Sequence, residues 1–193
     1  MSDTLSSIDD ESLMLLIQKQ DHEAFTLLVE RHTGRFYAAA FRMLGNEMQS
    51  EDIVQDAFLK IWNKPTLWKK GKGAKFTTWF YRIITNMCID VIRKKKREVS
   101  GEVVESLSDQ RKTQQQVMED RQREEGLESA IQALPEKQKA ALNLCFYEGL
   151  SNKEAADIMG VGVKALESLL MRAKAGVKDQ LARKGLLEIK ETA

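Results

Sequence analysis

Proline occurs only twice in the 193 residues and glycine 11 times, with no collagen-like period. So few turn-formers exclude an all-β sandwich or barrel as the leading reading. No apolar run approaches the roughly 18 residues that a bilayer-crossing helix needs, and no membrane insertion is expected. The opening MSDTLSSIDDES has neither the basic start nor the apolar centre of a secretory signal, so a cytoplasmic protein is expected. The two cysteines, Cys88 and Cys145, lie far apart inside apolar patterns and read as buried thiols of a reduced protein, not as a disulfide. The two histidines, His22 and His32, are too far apart for one helical face, so neither a metal nor any other cofactor is expected. Acid pairs such as Glu51/Asp52 stand without a nucleophile–base pair, a P-loop or zinc spacing, which argues against an enzyme. What remains is 42% hydrophobic and 31% charged, enough for a packed core in one domain or two small ones.

The formal charge is only +1, but it is unevenly spread. Residues 1–63 carry −6, residues 64–97 carry +10, residues 98–134 carry −5 and residues 135–193 carry +2. A short segment at +10 between two acidic ones is a candidate contact for a polyanion.

Apolar spacing along the chain predicts helices throughout. Asp9, Asp10 and Glu11 precede Leu13, Leu16 and Ile17, placing acid at the positive end of a short helix. Asp21 is positioned to cap a second helix through Phe25, Leu28, Phe36, Ala40 and Met43, which Gly45-Asn46 ends. Ser50 opens a third, with Ile53, Val54, Ala57, Phe58, Ile61 and Trp62 on its apolar side, and Pro65 stops it. PTLWKKGKGAK then reads as a glycine- and lysine-rich loop, and a long helix follows from Phe76 through Phe80, Ile84, Cys88 and Ile92. Residues 98–122 are polar, acidic and nearly free of aromatics, as a tether would be. Helical periodicity returns at Leu127 and continues past Pro135 to Gly149. Ser151-Asn152-Lys153-Glu154 is a capping box, Gly160-Val161-Gly162 a tight turn, and a last helix starts near Val163. The expected fold is all-α: two small helical bundles, over residues 1–97 and 127–193, joined by a flexible linker over 98–126.

Two stretches carry nucleic-acid chemistry. All three tryptophans (Trp62, Trp68, Trp79) lie in residues 62–97, among eleven cations. Aromatic faces accept unstacked bases and Lys/Arg neutralise the backbone, a pairing suited to single strands. Phe76, Phe80 and Trp62 fit the core stripe, whereas Trp68, beside Lys69 and Lys70 in a loop, does not. Residues 151–175 form the second stretch, a helix-turn-helix pattern whose second helix suits the major groove of duplex DNA. Few functions need one module for opened DNA and another for paired DNA.

The chain resembles the bacterial RNA polymerase sigma factors of the extracytoplasmic-function type. SEDIVQDAFLKIW (50–62) is similar to the part by which that family grips the β′ coiled coil of core polymerase. FTTWFYRIITNMCIDVIRKKKR (76–97) is similar to its minus-10 reading and melting part, and LPEKQKAALNLCFYEGLSNKEAADIMGVGVKALESLLMRAKAGVKDQL to its region 4. Members often carry a Gly-Thr-Val-Lys-Ser-Arg-like run where the recognition helix begins. Here those positions read Lys164-Ala165-Leu166-Glu167-Ser168-Leu169, so no promoter sequence carries over.

The resemblance implies an alternative sigma subunit whose partners are core RNA polymerase (β′ and β), promoter DNA and a restraining anti-sigma factor. It implies polymerase binding at Glu51, Asp52, Gln55, Asp56 and Lys60. Minus-10 contacts are implied at Trp68, Lys69, Lys70, Lys72, Lys75, Thr78, Trp79, Tyr81, Arg82, Asn86, Arg93, Lys94, Lys95, Lys96 and Arg97. Minus-35 contacts are implied at Ser151, Lys153, Lys164, Ala165, Glu167, Ser168, Arg172 and Lys174. The alternative is a helix-turn-helix regulator that acts without replacing the sigma subunit.

Overall fold

A computed structural model describes residues 8–69, 75–99 and 125–186. Every regular element among these is helical. In the first bundle, α1 spans Asp10–Ile17, α2 His22–Leu44, α3 Glu47–Asn63 and α4 Phe76–Val99, with a 3₁₀ turn at Pro65–Leu67. In the second, α5 includes residues 125–132, α6 spans Glu136–Leu142, α7 Asn152–Met159 and α8 Val163–Arg183.

Local chemistry sets most of the boundaries. The Asp9 carboxylate accepts from Ser12 N at 2.7 Å and that of Asp21 from Ala24 N at 3.0 Å, each meeting an otherwise orphaned amide of a first turn. Gly45 closes α2 in the left-handed region at φ 61°. The capping box at Ser151 and Glu154 is complete. The third helix begins a turn earlier than its sequence suggests. Asn46, not Ser50, is its cap, accepting from Gln49 N at 2.9 Å. Ser50 is buried inside α3 with its hydroxyl on Asn46 O. Of the expected linker, residues 100–124 lie outside the described residues; on either side of them α4 runs through Val99 and residues 125–132 are helical.

The first bundle is centred on an aromatic cluster. Phe80 of α4 lies with ring centroids 4.5 Å from Phe36 and 4.8 Å from Phe58, tying α2 and α3 to α4. The ridge Phe76, Phe80, Ile84, Cys88 is fully enclosed, and a neighbouring ridge, Tyr81, Thr85, Ile89, is buried beside it. This double-width stripe lets α4 pack on α2 and α3 on one side and on α6 and α7 on the other. One continuous apolar cluster therefore runs from the first bundle into Ala140, Leu144, Ala156, Ile158 and Leu166 of the second.

The second bundle meets the first through a feature that periodicity did not reveal. Residues Asn143–Tyr147 form a π turn in place of the plain helix expected there. The turn brings Asn143 Nδ2 to Ala39 O at 3.0 Å and the Glu148 carboxylate to Arg42 at 2.7 Å. Gln132 donates to Arg42 O at 3.0 Å, and Lys139 Nζ to Met43 O at 3.1 Å. At Arg42 and Met43, side chains of the second bundle thus satisfy carbonyls in the last turn of α2 that no helix bond reaches. Burial pushes the Cys88 thiol up to about 12. Cys145 is only half-buried, in contrast to the enclosed position expected, because the π turn carries it towards the surface.

Candidate polymerase and nucleic-acid interface

On α3 the spacing separates two faces. Ile53, Val54, Ala57, Phe58 and Ile61 are buried, while Glu51, Asp52, Gln55, Asp56 and Lys60 are all exposed. The acidic residues lie on consecutive turns, so the helix presents a carboxylate surface anchored by its own apolar side.

On α4 the cationic face is similarly organised. Arg82 and Asn86 are exposed, and the same helical face continues to Arg93 and Arg97. At 24 residues the helix is about 36 Å long, so this strip is extended along one side of the first bundle. Thr78 and Trp79 are half-buried at its start, and Lys94, Lys95 and Lys96 are exposed at its end. Two of the terminal cations also face the second bundle. Arg93 Nε is 3.4 Å and Lys96 Nζ 3.9 Å from the Glu136 carboxylate. Glu136 is held below the usual carboxylate range by the amide at the start of α6, with Arg93 and Lys96 adding to the effect.

Two aromatic side chains offered to a nucleic-acid strand by the sequence are core residues instead. Trp68 is only 3% exposed. The 3₁₀ turn at Pro65–Leu67 reverses the chain, and the indole joins the apolar cluster beneath. Tyr81 is 1% exposed, with its ring edge-on to Phe36 and its hydroxyl donated to Glu148. Lys69 and Lys75 are exposed, whereas Lys70 and Lys72 lie outside the described residues.

In the second bundle, Ser151 and Lys153 are exposed at the start of α7. Lys164, Ala165, Glu167, Arg172 and Lys174 are exposed along α8, and Ser168 is half-buried with its hydroxyl on Lys164 O. Leu166 and Ala173 fix the opposite side of α8 in the core. Gly160, at φ 63°, makes the turn that sets α8 across α7. This is the helix-turn-helix arrangement.

Residues 28–98 match the Sigma-70 region 2 family, and residues 124–175 match Sigma-70, region 4. The ECF RNA polymerase sigma factor SigW of Bacillus subtilis is 31% identical over 175 residues, covering 86% of this chain and 92% of SigW. The chain belongs to the ECF RNA polymerase sigma factors. SigE of Mycolicibacterium smegmatis is 30% identical over 159 residues, which cover 81% of this sigma factor and 61% of SigE. The same fold occurs in CnrH, solved in complex with the cytosolic domain of CnrY, at TM-score 0.64 and 24% identity over 90% of this chain and 97% of that one. It occurs also in RpoE of Bartonella quintana, solved with the anti-sigma factor NepR, at TM-score 0.62 and 23% identity over 82% and 96% of the two chains. Both curated relatives are named as sigma factors. Because both sigma regions are present, the alternative of a regulator that leaves the sigma subunit in place is not favoured. No helix among the described residues is long and apolar enough to cross a membrane.

Sequence reasoning missed the residues that join the two bundles. Glu148, Arg35, Arg42, Lys139, Gln132 and Asn143 are polar side chains scattered over the chain, and only their partners on the other bundle distinguish them from solvated surface.

Proposed function

We propose that this chain serves in the cytoplasm as an alternative sigma subunit that joins core RNA polymerase and directs it to its own set of promoters. The observation that carries this reading is the coexistence, in one chain, of an exposed cationic face on α4 and a capped helix-turn-helix at α7–α8, each lying in its own sigma-region match. In this mechanism the polar face of α3, with the carboxylates of Glu51, Asp52 and Asp56 and the amide of Gln55, docks on the polymerase and brings α4 over the minus-10 element.

Trp79, Arg82 and Asn86, with Lys69 and Lys75, then hold non-template bases that have left the stack. Unstacking costs a few kcal/mol per base, which aromatic contact and backbone neutralisation offset. Arg93–Arg97 hold phosphates without regard to sequence. Lys164, Glu167, Arg172 and Lys174 of α8 meet the major groove at the minus-35 element, where each can take a base edge or a phosphate. A partner that restrains the subunit, as NepR does in name for its RpoE, belongs to the same proposal. The test is in-vitro transcription by core polymerase across a genomic template, with and without this chain. New start sites are expected with it, and their absence overturns the reading.

A further inference from the structure

The long helix α4 is the one whose side chains carry most of the proposed strand contacts, yet its own sequence supplies no cap. Its first turn contains no acidic residue. The residue whose carbonyl accepts its first helical bond, from Trp79 N at 3.1 Å, is Lys75, which offers no acceptor side chain. The missing acceptor comes from the N-terminal helix. Glu11 Oε1 accepts from Phe76 N at 3.0 Å, across 65 positions of sequence. A carboxylate at position 75 itself would have displaced one cation of the basic run. Drawn from α1, it caps the positive end of α4 and leaves position 75 to lysine.

The residue that caps the C-terminal end of α1 holds the chain just before Lys69. Gln18 Nε2 donates to Trp68 O at 3.1 Å and to Pro65 O at 3.3 Å. A primary amide has two such protons, and here each meets a carbonyl. Trp68 C=O and Lys69 N belong to one peptide plane, as do Lys75 C=O and Phe76 N. Gln18 therefore fixes the peptide unit that leads into Lys69, and Glu11 fixes the one that leads out of Lys75. Both lysines are exposed. Glu11 in the first turn of α1 and Gln18 at its C-cap, still in helical backbone conformation, are seven positions apart, hence on one face and separated by about 10 Å along the axis. The frame is itself anchored, since Asp10 pairs with Arg31 at 2.6 Å and His32 at 2.7 Å, and Leu13, Met14 and Ile17 are fully enclosed.

We propose that α1 is a positioning element for strand capture, in which Gln18 and Glu11 hold the backbone at Lys69 and Lys75 in the geometry that meets single-stranded promoter DNA. The proposal rests on the sigma reading above and extends it to a helix that precedes the matched residues 28–98.

The experiment uses the full chain bound to core polymerase and a forked promoter DNA whose minus-10 non-template strand is unpaired, with a blunt minus-35 duplex as the control. Q18E has the size of the native side chain but presents oxygens to two carbonyls, and E11A removes the acceptor for Phe76 N. Each is expected to weaken fork binding about three- to tenfold, the equivalent of one or two hydrogen bonds, with duplex binding unchanged. E11Q keeps an acceptor and is expected to recover most of the loss. Hydrogen exchange is expected to quicken at residues 66–69 and 75–78 and to stay as in the parent chain through α2 and α3.

Fork binding by Q18E and E11A equal to the parent overturns the proposal. So does an equal loss on fork and duplex with faster exchange throughout, which marks a general contribution to folding. A parent complex that ignores the fork altogether refutes the sigma reading beneath it instead.

Discussion

Tyr81 donates its hydroxyl to the carboxylate of Glu148, 67 positions away and in the other bundle. Burial, and then this bond, push the phenol well above its usual range, so it remains a neutral donor. Arg42 at 2.7 Å and Arg35 at 3.4 Å complete the carboxylate's shell. The bundles are thus latched face to face. Promoter elements some 25 base pairs apart, at about 3.4 Å each, are separated by about 85 Å, which two touching bundles cannot span. The contact must open when the chain engages a promoter. Y81F is therefore expected to lower the unfolding free energy of the isolated chain by about 1 kcal/mol, measured in urea, without weakening promoter binding by the polymerase complex. Weaker promoter binding by Y81F would instead put the hydroxyl on DNA.

Trp68 gives a second separation of core from contact. A buried indole removed to alanine costs about 3–5 kcal/mol, a large share of a domain's total stability. W68A is expected to lower the melting temperature of the DNA-free chain. An unchanged melting temperature, with loss confined to DNA binding, would return Trp68 to the strand surface.

The cationic end of α4 predicts a salt signature. Alanine at Arg93, Lys94, Lys95 and Lys96 is expected to weaken promoter binding by the polymerase complex and to flatten its log–log salt dependence by about 0.9 for each phosphate no longer neutralised. Glu136 lies in the second bundle and draws on Arg93 and Lys96 only while the bundles touch, so E136Q is expected to leave the slope of the opened complex as in the parent. An unchanged slope in the alanine variant would remove these cations from the DNA contact.

Local signals in this sequence were legible and long-range ones were not. Asp9, Asp21 and the Ser151/Glu154 box announce their helices because a cap and its amides lie within three residues of one another. The two faces of α3 follow from one period, so its exposed carboxylates could be named in advance. Trp68 and Tyr81 could not be placed in this way. A tryptophan followed by two lysines has the same neighbours in sequence whether it stacks on bases or turns inward, and the contacts that hold such residues are long-range, as Glu148 is for Tyr81 at 67 positions. The π turn is likewise invisible to a 3.6-residue period, which it interrupts.

The carboxylate face of α3 is expected to be the polymerase contact, and D52K/D56K tests it without disturbing the bundle. Both positions are exposed, while the core side of the helix at Ile53, Ala57 and Ile61 is untouched. The double variant is expected to keep its stability within about 1 kcal/mol of the parent and to lose co-purification with core polymerase. Retained co-purification would place the docking face elsewhere.

Lys139 makes the joint between the bundles sensitive to pH, with a defined sign. Its ammonium is enclosed, donates to Met43 O and to Gln132 Oε1 at 2.7 Å, and lies near Lys96. Burial first, and then the charge of Lys96, lower it from the ordinary 10.5 to about 8. Between these two values the unfolded chain holds a proton that the folded chain has released, so this group makes stability rise with pH across that window and adds no slope below it. The expected result is a stability difference between the parent chain and K139M that shifts in the parent's favour from pH 8 towards pH 10, as read by urea unfolding. Cys88 and Tyr81, whose raised values act in the opposite direction at the upper end of the window and beyond it, are common to both chains and cancel in the difference. A difference that stays flat across the window would mean that Lys139 keeps its proton, and that the two carbonyl-type acceptors compensate its burial more fully than the absence of a carboxylate partner suggests.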